Sequence, residues 1–232
     1  MRAPPPPPPW QPELATVGVT GTNGKTSTTA FVAAALATIA EPVARITTVG
    51  KYVGEEKLAL GATHADFIET MRLCRERGGK LAAIELTSEA LSMGFARAWP
   101  CRVGVFTNLT RDHLDAHGSA EHYLASKAQL FVSLAPGATA VLNGCDAAAE
   151  LLAAVIPEGV AERRYGLRSR GAPWAELDLE ATSVEESLDG TLAELRWGAN
   201  APDGAPSKLS LRAAGRIYVE NALAALLAAV AM

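Results

Sequence analysis

Between positions 18 and 27 the chain reads Gly18-Val-Thr-Gly21-Thr-Asn-Gly24-Lys25-Thr26-Ser27. A glycine-rich turn running into Gly-Lys-Thr is the composition of a phosphate cradle. The glycines let backbone N–H groups turn inward around phosphate oxygens, Lys25 supplies a positive charge, and the Thr26 hydroxyl can ligate Mg²⁺. The strict phosphate-loop pattern wants glycine at position 19, where this chain has Val19. A plain glycine turn before a helix is the alternative that this departure leaves open.

Three further residues have types and positions suited to chemistry. Glu85 closes the apolar run Leu81 to Glu85, and so stands at the C-terminal end of a strand, where ligands of parallel sheets collect. His113 lies in the polar stretch Thr107-Asn108-Leu-Thr-Arg-Asp112-His113-Leu-Asp115-Ala-His-Gly118, just past another apolar run. Taken singly, each would be an ordinary polar residue at a strand end. Lys127 is placed more unusually: at helical spacing it shares a face with Tyr123, Leu130 and Leu134. Such a lysine either snorkels past the stripe to water or is held, desolvated, for use.

The elements that must position these residues alternate. Strands are expected at Leu14 to Thr20, Val43 to Thr48, Leu81 to Glu85, Arg102 to Thr107 and Ala140 to Asn143. Helices are expected from about Thr26 to Ala40, Ala65 to Arg77 and Ser119 to Leu134. This order predicts an α/β fold of the phosphate-loop NTPase kind, a mostly parallel sheet flanked by helices. Beyond it, Glu176 to Ala181, Thr191 to Trp197 and Lys208 to Arg212 read as strands joined by turns at Asp189-Gly190 and Asp203-Gly204, a small antiparallel β annex. A last helix runs from about Ile217 to Val230. Its Ala/Leu-rich end has no polar cap, which suggests a packing partner beyond it.

Composition narrows the function classes. The 232 residues are 49% apolar and 20% charged, enough for one large α/β domain over residues 14 to 232. A net charge of -4 gives no general reason to bind nucleic acid or an anionic membrane. The cysteines Cys74, Cys101 and Cys145 form no CxxC pair, so reduced thiols in a cytoplasmic protein are the expectation. The apolar runs Phe31 to Ala40 and Ala222 to Met232 are short of the roughly 18 residues that span a bilayer. Pro4 through Pro9 favours an extended polyproline conformation, and residues 1 to 13 read as a tail.

On these residues the chain resembles the Mur ligases. Gly21-Thr-Asn-Gly-Lys-Thr26 is similar to their phosphate loop, which departs from the strict pattern in the same way and is shared with folylpolyglutamate and cyanophycin synthetases. The stretch from Thr107 to Gly118 is similar to their second signature, and Glu85-Leu-Thr-Ser88-Glu-Ala-Leu91 to the segment with a metal-binding glutamate. Among the branches, these segments most resemble the UDP-N-acetylmuramyl-tripeptide synthetases, which add the third residue of the peptidoglycan stem peptide. The resemblance implies activation of a carboxylate by ATP and displacement of phosphate by an amine. It places ATP against Gly21, Thr22, Asn23, Gly24, Lys25, Thr26 and Ser27. One or two Mg²⁺ ions would be held by Thr26, Glu85, His113 and Lys127, the last as a carbamate, with Lys25, His113 and Lys127 serving catalysis. Asn221, in Gly215-Arg-Ile-Tyr-Val-Glu-Asn221, resembles the adenine-contacting segment, although Tyr218 stands where the family usually has Asn.

The resemblance weakens on the acceptor side. The loop expected to meet the substrate reads Ala62-Thr63-His64 in place of Thr-Thr-Pro, and Thr87-Ser88-Glu89 stands in place of Ser-Ser-His. Phe95 occupies the position of a substrate-gripping arginine. Thr63 and Ser88 remain the candidate substrate contacts. The family's N-terminal UDP-binding domain and its C-terminal ligase domain, roughly 150 residues, lie outside this sequence. The chain therefore reads as a ligase core taking a small carboxylate and an amine and completed by a further domain or subunit. The competing reading is a non-catalytic ATP-binding module that regulates or scaffolds a partner.

Overall fold

In the computed structural model, described here for residues 4–110, 120–170 and 176–232, the phosphate-loop segment is built around a buried central strand, β1 (Ala15–Thr20). Its alternating side chains serve both faces of the sheet, since β1 lies between two parallel neighbours, β5 (Leu81–Glu85) and β6 (Val103–Phe106). Strands buried on both sides need near-continuous apolar sequence, which these three have. β2 (Val43–Thr47) adds to β5, and β7 (Thr139–Asn143) to β6, again in parallel.

Both ends of the sheet extend further than the sequence pattern suggests. Beyond β2 a meander of β3 (Gly50–Val53) and β4 (Glu56–Leu58) makes an antiparallel wing. Its strands are too short and too charged for a period-two signal. At the other end β8 (Ala161–Leu167) pairs in parallel with β7 and with β9 (Leu179–Ser187), which then continues antiparallel into β10 (Gly190–Trp197) and β11 (Lys208–Leu211). The antiparallel annex is thus a continuation of the main sheet. Among the described residues the strand order is β11-β10-β9-β8-β7-β6-β1-β5-β2-β3-β4. β9 begins at Leu179 rather than near Glu176 and reaches Ser187. The Asp189-Gly190 turn closes its hairpin with Gly190 at φ 141°, a conformation glycine allows.

Helices cover the two faces. α1 (Lys25–Ala37) and α7 (Arg216–Val230) pack on one, where Val32, Leu36, Val219 and Leu223 meet the Val17, Val19, Val103 and Val105 side of the sheet. The opposite face is covered by α2 (His64–Glu76), α3 (Ser88–Ser92), α4 (Phe95–Ala98), α5 (Ala120–Val132) and α6 (Ala148–Ala153). There Phe67, Met71, Leu91, Leu130 and Phe131 meet Ile84, Phe106 and Leu142. Residues following the proline run join this side: Trp10 meets Trp99 edge-on at 6.0 Å, and Glu13 pairs with Arg75 at 2.6 Å. Among the described residues no helix is long and apolar enough to cross a membrane.

Candidate active site

The C-terminal ends of β1, β5 and β6 form one rim, and the loop from Gly21 to Gly24 runs along it into α1. Gly21 has φ 151° and Gly24 φ 82°. A Cβ on Gly21 would lie 1.8 Å from Thr107 Oγ1, and one on Gly24 would lie 2.5 Å from Asn221 Oδ1. Two independent constraints, positive φ and close approach, therefore require glycine at both places. The loop is clamped by the segment after β6. Thr22 N donates to Asn108 O at 2.8 Å, Asn23 N to Asn108 Oδ1 at 3.0 Å, and Thr107 Oγ1 to Asn23 O at 2.7 Å. Thr22 Oγ1 accepts from Thr110 N at 3.2 Å. Asn143 in turn fixes Thr107 by donating to its carbonyl at 2.8 Å.

Thr26 and Glu85, read from separate parts of the sequence as metal ligands, meet here. Thr26 Oγ1 donates to Glu85 Oε2 at 2.9 Å, and Thr48, just past the end of β2, donates to the same oxygen from its backbone N at 3.1 Å and its hydroxyl at 3.3 Å. Three donors on one carboxylate oxygen hold the side chain at the mouth of the loop. Lys25 curls back to donate to Thr22 O at 2.7 Å; burial lowers its pKa, with the Glu85 charge opposing the shift.

Lys127 does not snorkel. Its residue is 0% exposed, its Nζ lies 3.9 Å over the Tyr123 ring, and it donates to Gly21 O at 2.7 Å. Burial first, and the Lys25 charge second, lower its pKa to about 7. A substantial part of this amine is therefore neutral at neutral pH, and nucleophilic. Asn221 is buried on α7 against Gly24, and Ser27 is half-buried in the first turn of α1. His113 and its neighbours lie outside the described residues.

The sequence matches the Mur ligase middle domain family over residues 19–229. The chain belongs to that family. Its domain is the ATP-binding part of ATP-dependent amide ligases. The UDP-N-acetylmuramoyl-L-alanyl-D-glutamate--2,6-diaminopimelate ligase of Syntrophomonas wolfei is 34% identical over 217 residues, which is 90% of this chain and 41% of that protein. The ligase of the same name from Geobacter metallireducens is 36% identical over 232 residues, 93% of this chain and 42% of its own. A solved structure of a ligase of that name superposes with a TM-score of 0.78 at 27% identity, covering 94% of this chain and 43% of its own. The chain thus spans about two fifths of the length of the curated relatives it matches.

In this Mur ligase middle domain the two candidate substrate residues sit apart from the loop. The Thr63 hydroxyl caps α2, accepting from Asp66 N at 3.2 Å and donating to Asp66 Oδ2, in a closed capping box. Ser88 opens α3, whose cap is Thr87, accepting from Ala90 N at 3.2 Å. Both segments border a cavity of about 860 Å³ that Glu85 and Thr48 also line. Sequence reasoning missed Thr48, Asn108 and Asn143 as rim residues. For Thr48 a signal existed, because it ends a strand beside the one ended by Glu85; Asn108 and Asn143 act through main-chain contacts that leave no spacing pattern.

Proposed function

We propose that this domain binds Mg·ATP through the loop from Gly21 to Thr26 and serves the conversion of a carboxylate to an acyl phosphate, from which an amine displaces phosphate to form an amide. The observation that carries this reading is the meeting of Thr26 Oγ1 and Glu85 Oε2 at 2.9 Å beside the loop, two hard oxygen donors suited to Mg²⁺. When bound, Mg²⁺ would neutralise phosphate charge and polarise the transferring group. The loop's N–H groups and the N-terminus of α1 orient phosphate oxygens, Lys25 releases Thr22 O to reach them, and Asn221 borders the adenine side. His113 joins Glu85 as a metal ligand in this reading.

Lys127 serves as a carbamate. Its neutral amine attacks the carbon of CO₂; an N–C bond forms, a C–O π bond opens onto oxygen, and the N–H proton leaves to solvent. The amine then becomes a carbamate, one negative charge shared by two oxygens that would hold a second metal. A region that closes over the nucleotide and brings the amine completes the ligase, on this polypeptide or a separate one. Thr63 and Ser88 border the acceptor carboxylate.

Calorimetry tests the nucleotide reading. Lys25→Ala lowers Mg·ATP affinity by about 100-fold, close to 2.7 kcal/mol; equal affinity in wild type and variant contradicts the phosphate-loop assignment. ¹³C NMR with labelled bicarbonate tests the carbamate: the wild-type chain with Mg·ATP gives a carbamate resonance that Lys127→Met lacks, and identical spectra remove the modification from the account.

A further inference from the structure

We propose that the cavity beside Glu85 takes a carboxylic acid with a flat aromatic body, and that His64, Phe67 and Phe95 are the wall that binds its ring. The inference rests on the reading of the rim as an acyl-activating Mg·ATP site and adds the class of acid that it activates.

The cavity, about 860 Å³, lies between the β2–β4 wing and α2 to α4 and has the size of a small-molecule site. Glu85 and Thr48 line it, and Glu85 contacts Thr26, so the cavity abuts the residue that meets the phosphate loop. The wall given by α2 and α4 is aromatic. Phe67 and Phe95 meet edge-on at 5.0 Å and 80°, and His64 stands 6.0 Å from Phe67 and 6.3 Å from Phe95. Trp99 supports Phe67 from behind at 4.9 Å and 87°, and its indole N–H donates to Thr16 Oγ1 at 3.0 Å, so the wall is anchored to the central strand. Gly94, at φ 87°, turns the chain so that Phe95 opens α4 toward the cavity.

The charges favour the same class. Burial lowers the pKa of His64, so the wall is uncharged at neutral pH. Among the described residues two lysines line the cavity, Lys51 and Lys57, against two glutamates, Glu85 and Glu89, and no arginine does. Lys51 is buried and donates to Gly61 O. A polyanionic acid would need an unopposed cationic fork; a ring of edge-to-face partners instead suits an aryl group, with about 0.5–1.5 kcal/mol beyond area burial from each good ring pair.

Titration of the 232-residue chain with 3-phenylpropionate and with L-alanyl-D-glutamate, followed by NMR, decides the matter. Phenylpropionate shifts resonances of residues 63–67 and 93–96, binds more tightly than the dipeptide, and loses about tenfold in affinity in Phe95→Ala. His64→Ala, at a half-exposed position, shows the same direction independently. Tighter binding of the dipeptide, no saturable binding of phenylpropionate, or phenylpropionate binding unchanged in both variants overturns the proposal. Mg·ATP titration of the same samples separates the two readings. Lys25→Ala loses nucleotide but keeps phenylpropionate, whereas loss of nucleotide binding by the wild type would remove the rim reading alone.

Discussion

The phosphate-loop rim and the cavity wall lie on either side of Glu85 and are specified in different ways. At the rim, Gly21 and Gly24 hold positive φ and press against the side chains of Thr107 and Asn221 so closely that neither leaves space for a Cβ, and the loop is held by Thr107, Asn108 and Thr110 through hydrogen bonds to particular atoms. At the wall, ring packs on ring, and the nearby Gly94 has nothing within 4 Å of where its Cβ would stand. Backbone-dictated geometry admits few residue types and reads as a motif. A wall of side chains can be exchanged without moving the backbone, so one fold keeps its nucleotide rim and changes what it accepts.

The glycine pair gives the largest contrast. Gly21→Ala forces Thr107 Oγ1 away from Asn23 O, now 2.7 Å distant, or breaks the loop. Mg·ATP affinity should fall by about 100-fold or more, with Tm lower by roughly 5–10 °C. Gly94→Ala meets no atom and carries only the left-handed strain of about 1–2 kcal/mol, a Tm loss of roughly 2–6 °C with nucleotide affinity unchanged. Calorimetry and thermal melts that gave equal losses in nucleotide binding would erase the distinction.

Lys127→Met sharpens the rim side with a smaller effect. The native-state amine has a pKa of about 7 against 10.5 unexposed to burial, so between these values the unfolded chain binds more protons than the folded one. Stability contributed by this site therefore rises as pH increases through that window, and the burial cost is fully present below pH 7. Thermal melts in the absence of nucleotide should show the Tm of Lys127→Met minus that of wild type falling by roughly 5–10 °C from pH 6.5 to 10. A difference independent of pH would mean that Lys127 is protonated and stable in its place.

Much of the rim was legible before any coordinates. Gly21, Gly24, Lys25 and Thr26 follow from loop chemistry, and Lys127 from its place in the Tyr123, Leu130, Leu134 stripe, where Tyr123, Leu130 and Leu134 are indeed buried. The parallel centre was legible too, because doubly buried strands such as β1 and β5 are continuous apolar runs. The wing of β3 and β4 was not: Gly50–Val53 and Glu56–Leu58 are short, partly charged, and ordered by pairing with β2 rather than by their own pattern. β8 was missed because Glu162, Arg163 and Arg164 interrupt its apolar character, and Arg164 is buried only by pairing with Glu150 and Glu162. The aromatic wall joins residues from two helices, a convergence that no linear spacing displays.

In the proposed reading Thr26 and Glu85 act together on the metal of a bound nucleotide. That joint action is tested most directly by calorimetric ATP titrations, with and without magnesium, on wild type, Thr26→Val, Glu85→Gln and the double variant. A shared ion predicts that magnesium strengthens ATP binding to the wild type by at least about tenfold, that either single variant loses most of this gain, and that the double variant loses little more than the worse single one. Additive losses, or a magnesium effect undiminished in both single variants, would contradict it.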